Sequence, residues 1–273
     1  MRAHGSIDSP SGLGLDGHAC WSFEGDGAFT DAALEFLTDG LRAGQRIAFV
    51  GSEPVADQRE RLDALGNVGG LIDDGALQLF TLPDLYAIGE PVDPDAQLAV
   101  YAAATDAAVA DGYNGLRVAA QVTDLVADPD LWEAHVRWES IADTYMATRP
   151  LSALCGYDTK AVPDTVLDDL AAVHPAAHGA AGFAPFHLFS NSDALTLAGE
   201  VDGFSADALD RVLGLALRDD TTRLDLGELE FIDHHGLIAL AEHTQRRAGW
   251  GDLSIQAVPE SVRRLCDLLG VRL

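Results

Sequence analysis

The chain has 273 residues, 48% hydrophobic and 22% charged, the balance of a folded globular protein long enough for two domains of ordinary size. Its 17 basic and 44 acidic residues give a net charge of −27, so its surface repels phosphate backbones and anionic lipids and argues against nucleic acid or a membrane as partner. No apolar run reaches the roughly 18–20 residues that span a bilayer, and the N-terminus lacks a signal-peptide core, which reads as a cytoplasmic protein.

In chain order, the Gly/Ser-rich start reads as a frayed tail up to Asp16. "HACWSFE" (18–24) reads as a first strand. "DGAFTDAALEFLTDGLRAG" follows as a helix, with Phe29, Ala33, Phe36, Leu37 and Leu41 at helical spacing and Gly44 as its stop. "QRIAFVGS" is a strand, "VADQRERLDALG" a helix and "ALQLFTL" a strand. Asp93 then caps a long helix with Pro94 in its first position. "GLRVAAQVTDL", "DPDLWEAHVRWESIADTYMATRP" and "LSALCGYD" read as strand, helix and strand. Strands that are apolar on both faces, alternating with helices, predict an α/β fold with a parallel sheet covered on both sides.

Periodicity stops in the Ala/Gly/Pro-rich stretch 169–186, and a linker is expected over residues 172–185. Beyond it, "FHLFSNSDALTLAGEVD" reads as paired strands and "SADALDRVLGLALRD" as a helix. "TRLDLGELEFID" reads as a strand with an extension, and "HHGLIALAEHTQRRAG" as a helix. "DLSIQAV" and "PESVRRLCDLLG" close a small α/β unit over residues 186–273.

The runs "GEVD", "LDLGELEFID", the helix opening "HGL" and "VPESVRRLCDLLGV" together resemble the STAS domain of anti-sigma-factor antagonists. The resemblance implies a Ser or Thr directly after Asp233, phosphorylated by a serine-kinase-like anti-sigma factor. Phosphate there adds about −1.5 to −2 charge beside a carboxylate and repels the partner. This chain carries His234 and His235 instead, followed by Gly236, with no hydroxyl between Leu226 and Leu240. Asp233, His234, His235 and Gly236 therefore read as a degenerate phosphoacceptor loop that still contacts a partner. Metal ligation by the histidine pair lacks further donors, because His243 lies more than two helical turns beyond His235. A modest pH sensitivity of docking stays open.

The first half carries a second resemblance. "HACWSF", "GLRAGQRIAFVGSE", "GYNGLRVAAQVTDLV" and "WESIADTYMATRPLSALCGYD" are similar to the MEDS family of methanogen and methylotroph sensory domains, over residues 17–171. The resemblance implies a RecA/KaiC-like core and a sensory module for small organic molecules. No cofactor is indicated. ATP hydrolysis is not expected: after Ile47–Val50 the chain reads "GSEPVADQRE", without the Lys-Ser/Thr pair that cradles phosphate, and with Glu53 and Asp57 opposing it. Nothing else in the chain points to an enzyme.

Candidate ligand-facing residues lie at the C-terminal ends of strands: Gly51, Ser52 and Glu53, and Gln121, Thr123 and Asp124. His18 and Cys20 alternate on the first strand and share a face. They are read as core residues that could face a ligand; a metal cluster with Cys155 is the remote alternative, and no metal site is expected. Arg117, beside an apolar strand, and Glu139, on the long helix, are read as an anion contact, an ion pair or plain surface residues. His174 and His178 are set aside, since Pro175 breaks the helix that would align them. A two-domain signalling protein follows as the expectation, or else a scaffold subunit of a larger assembly or a nucleotide-binding RecA-like enzyme.

Overall fold

A computed structural model of the chain describes residues 2–25, 27–179, 185–218, 221–247 and 253–273. In chain order its first part holds β1 (Gly5–Ser6), β2 (His18–Phe23), α1 (Ala28–Arg42), β3 (Arg46–Gly51), α2 (Val55–Arg61), α3 (Val68–Asp73), β4 (Leu77–Thr81) and α4 (Leu82–Leu85). There follow α5 (Pro94–Ala110), β5 (Leu116–Gln121), α6 (Trp132–Met146), β6 (Leu151–Asp158), α7 (Asp164–Val173) and β7 (Ala176–His178). The second part holds β8 (Phe186–Asn191), β9 (Ala194–Val201), α8 (Ala206–Ala216), β10 (Arg223–Asp225), β11 (Leu229–Ile232), α9 (His234–Arg247), β12 (Ser254–Gln256) and α10 (Glu260–Leu269).

The first seven strands form one parallel sheet in the order β1-β7-β2-β6-β5-β3-β4. Every residue of β2 and β3 is buried, as a sheet covered on both faces requires. The two faces of β2 feed separate cores. Ala19, Trp21 and Phe23 pack with α1 residues Phe29, Ala33, Phe36 and Leu37. Cys20 belongs to the opposite core, built with residues of α6 and α7. His18 shares the Cys20 face by strand alternation.

In the second sheet β8 runs antiparallel along one edge of β9. The other edge is shared, with β10 beside the first half of β9 and β11 beside the second. The segment expected as one strand with an extension is thus two strands, separated by a turn in which Asp225 Oδ1 accepts from the Gly227 amide. The second unit packs on the first through β8 and α8, which contact α6 and α7. Arg211 on α8 holds Asp169 on α7 with two hydrogen bonds of 3.0 and 2.9 Å.

Three expectations change. The N-terminus is not a frayed tail: β1 pairs with β7, Leu13 is buried, and Arg2 is 6% exposed with its guanidinium on the Asp16 carbonyl. The expected linker starts too early, because residues 172–173 finish α7 and 176–178 form β7 beside β2; its residues 180–184 lie outside the described residues, as do 219–220 and 248–252 at the expected ends of α8 and α9. The single helix expected over residues 55–66 is α2 followed by a short 3-10 turn at Asp63–Leu65, ended at Gly66 with φ 97°, and α3 beyond it was not expected.

Candidate functional site

Helix α6 presents His135, Glu139 and Asp143 at i, i+4 and i+8, one face of the helix turned to the sheet, and all three are at most 2% exposed. Opposite them stand His18 from β2 and Cys155 and Tyr157 from β6, whose strands are neighbours with Cys20 and Cys155 in register. His174, just past α7, closes the cluster against His18, the ring centroids 4.0 Å apart. Pro175 does end that helix, but the turn carries His174 inward, so His174 joins the cluster although no helix aligns it with His178.

Glu139 is the hub. Its Oε1 accepts from Tyr157 Oη at 2.7 Å and faces His135 Nε2 at 3.1 Å. Its Oε2 lies 3.3 Å from His18 Nε2, 3.6 Å from His174 Nε2 and 3.7 Å from Cys155 Sγ. His18 turns its other nitrogen to Asp143 Oδ1 at 3.1 Å. Arg2 Nη2 approaches the same oxygen at 2.8 Å. Two buried carboxylates are thus matched by Arg2 and a doubly donating His18.

Protonation follows this geometry. Burial opposes charge on His18, but its hydrogen bonds to Asp143 and Glu139 outweigh that and raise its pKa. Burial likewise opposes the Glu139 carboxylate, and the bonds from His135 and His18 overcome it, holding the group well below the ordinary range. Burial, then the charge on His18, push His174 down to about 3. Burial and Glu139 raise both thiols, Cys155 and Cys20.

The cluster touches the second unit directly. Asp143 Oδ2 accepts from the Ser190 amide of β8 at 2.7 Å, and Arg2 Nη1 donates to the Ser190 carbonyl at 2.7 Å. His187 Nδ1, also on β8, donates to the His174 carbonyl at 2.9 Å. Beside the cluster lies an apolar cavity of about 30 Å³, bordered by Tyr86, Leu98, Tyr101, Trp138, Glu139 and Cys155. That suits a molecule of very few heavy atoms. The Tyr86 and Tyr101 hydroxyls pair there at 3.1 Å.

The other candidates scatter. Cys20 shares the His18 face but is not among the donors gathered around Glu139 Oε2. Arg117 is no surface residue: 2% exposed, it donates to Gln45 Oε1 and to the carbonyls of Phe36, Leu13 and Gly14, stacks 4.3 Å over the Phe36 ring, and is lowered by burial to about 10. It anchors the N-terminal segment. Gly51 ends β3, Ser52 is exposed, and Glu53 pairs with Arg61 at 3.4 Å. Gln121 ends β5, Thr123 Oγ1 accepts from the Asp158 amide, and Asp124 is exposed. None of these six meets His18 or Glu139.

In the second unit Asp233 caps α9, its Oδ1 accepting from the His235 and Gly236 amides at 2.8 and 3.1 Å. Burial opposes its charge slightly, and the Gly236 and His235 hydrogen bonds lower its pKa. His234 and His235 are exposed with ring centroids 3.8 Å apart, and His235 Nδ1 lies 3.4 Å from Asp233 Oδ2. Gly236 is required, since a Cβ there would stand 2.4 Å from Val201 Cγ1. The neighbouring β9–α8 loop presents Phe204, 99% exposed, and α9 presents Ile238.

Residues 17–175 match the family model described as "MEDS: MEthanogen/methylotroph, DcmR Sensory domain", and residues 187–272 match the one described as "Mlab, STAS domain". No curated protein matches the chain. Among solved structures the chain is similar to the crystal structure of flagellar accessory protein FlaH from Methanocaldococcus jannaschii, at 13% identity and a TM-score of 0.40, over 71% of this chain and 84% of that one. Among the described residues no helix is long and apolar enough to cross a membrane.

Proposed function

The chain belongs to the MEDS family and carries a STAS domain after it, and from that premise we propose that its first domain binds a small apolar molecule and thereby controls which partner surface its STAS domain offers. The observation that supports this is the direct bonding of the buried Glu139–His18–Asp143 cluster to β8 through the Ser190 amide. A change in the first core is felt by the first strand of the second.

The ligand belongs in the cavity between Tyr101, Trp138 and Cys155. Its size and lining favour a short alcohol or haloalkane. The output partner is an anti-sigma factor of the serine-kinase type, docking on Asp233, His234, His235 and Phe204. His234 stands where such a switch carries its hydroxyl, so input from the first domain takes the place of phosphorylation. The protein acts in transcriptional regulation, in the cytoplasm, by shifting a population of conformers and not by turnover.

A thermal-shift series on the full chain with short alcohols and haloalkanes tests the reading. A ligand at 100 times its dissociation constant adds about 2.7 kcal/mol. Stabilisation together with altered retention of kinase-type anti-sigma factors is the expected outcome. Neither effect across the series would overturn it.

A further inference from the structure

Four ligand atoms from four separate elements cluster here: Glu139 Oε2 on α6 with His18 on β2, Cys155 on β6 and His174 after α7 around it. His18 Nε2 lies 3.6 Å from Cys155 Sγ. With the 3.3, 3.6 and 3.7 Å separations from Glu139 Oε2, four of the six edges of a tetrahedron are defined. Bond lengths of about 2.0–2.3 Å at tetrahedral angles place the ligands of a zinc ion about 3.3–3.7 Å apart. Each of these four edges falls in that range.

His174 makes the case independent of the ion pairs. Its Nδ1 lies 2.7 Å from the Leu170 carbonyl, which can only accept, so Nδ1 carries the proton. The remaining nitrogen, Nε2, is fully buried, without a hydrogen-bond partner, and points at a carboxylate oxygen. Two lone pairs facing each other across a buried gap are unfavourable unless a cation lies between them. We propose that His18, Glu139, Cys155 and His174 are the four ligands of a closed site for a divalent transition metal of the zinc class.

The surroundings are those such a site requires. Ligating histidines hold their second nitrogen on a carboxylate or a carbonyl, and ligating carboxylates are themselves hydrogen-bonded. His18 uses Asp143, His174 uses Leu170, and Glu139 uses Tyr157. Charge also balances. The dication displaces one proton from His18 and one from the Cys155 thiol, so the buried cluster keeps its net charge. Four protein ligands leave no open position, so the metal is structural and ties β2, β6, α6 and α7 together. This site is independent of the sensor reading, since it needs neither a cavity ligand nor a STAS partner.

The test is cobalt(II) added to chelator-treated full-length protein. One equivalent per chain is expected, with the intense visible bands of four-coordinate cobalt and a thiolate-to-cobalt charge-transfer band. Cys155→Ser removes that band; Cys20→Ser keeps it. A double His234→Ala/His235→Ala variant keeps the full equivalent, which separates this site from the exposed Asp233 loop. A wild-type complex without the charge-transfer band overturns the proposal, and that spectrum decides even where Cys155→Ser fails to fold. So does loss of the band in Cys20→Ser with its retention in Cys155→Ser.

Discussion

Asp143 of the first domain accepts the Ser190 backbone amide of the second at 2.7 Å, while its other oxygen holds His18 and Arg2. One carboxylate thus joins the N-terminal segment, the first sheet and the STAS strand β8. Replacing it should be costly, because the buried Arg2 guanidinium would lose its buried counter-ion and His18 one of its two carboxylates. Breaking a buried pair by removing one member costs about 3–5 kcal/mol. Asp143→Ala should lose stability of that order in urea denaturation, and a loss below about 1 kcal/mol would show the contacts to be incidental.

The pH dependence of the metal-free protein has a definite sign. Between pH 6.5 and about 3 the unfolded chain binds a proton at His174 that the folded chain refuses, so stability falls as pH falls, by about 1.4 kcal/mol per unit. His187, lowered by burial, adds in the same direction. Below the ordinary carboxylate range, Glu139 and Asp143 remove more stability as pH drops through their lowered folded values. Above 6.5 His18 works the other way: the folded state keeps a proton that the unfolded chain has released, so stability declines as pH rises through the raised folded pKa. Urea midpoints in the presence of chelator should therefore peak near pH 6.5. A steady rise through pH 8 would contradict the assignment of His18 as the charged imidazole.

The exposed Asp233 loop makes its own prediction. His234→Ser places a hydroxyl at the position where the STAS resemblance expects one. Incubated with ATP and a serine-kinase-type anti-sigma factor, that variant should gain a single phosphate by intact mass, and the unaltered chain none. Phosphate on residues 226–240 of the unaltered chain would show that the switch is not lost.

Asp168 on α7 offers a stabilising change. Partial burial, with Asp169 and Asp164 beside it, raises Asp168 to about 6. In the folded state it keeps a proton that the unfolded chain loses near pH 4, so stability falls as pH rises from about 4 to 6. Asp168→Asn should raise the melting temperature slightly at pH 7 and leave it unchanged below pH 4. A lower melting temperature at pH 7 would contradict the repulsion.

Sequence periodicity alone carries the parallel sheet, because strands such as "RIAFVG" are apolar on both faces and leave no other arrangement. It does not reveal β1, whose two residues pair with β7 about 170 positions away and whose Gly/Ser composition has no local signal. The cluster was half visible. His18 and Cys155 are grouped in the sequence reading, but with Cys20, while Glu139 stands apart as an ion-pair or surface residue and His174 is set aside, since ligands drawn from four elements have no fixed spacing. A signal was there to find: "HVRWESIAD" carries His135, Glu139 and Asp143 on one helical face, where a surface helix would vary its polar groups. Arg117 misled for the opposite reason. A residue at the start of a strand, beside a loop, looks solvent-exposed until the N-terminal segment folds over it.

Coupling between the domains is the central claim, and amide hydrogen exchange in the full chain tests it most directly. The route runs from Asp143 to β8, from β8 to β9, and from the Val201 carbonyl to the Asp233 amide. In Asp143→Asn the His235 and Gly236 amides, which Asp233 caps, should exchange faster than in the unaltered protein. Faster exchange confined to residues 2–178 and to Ser190 itself would mean that the first domain does not speak to the STAS surface.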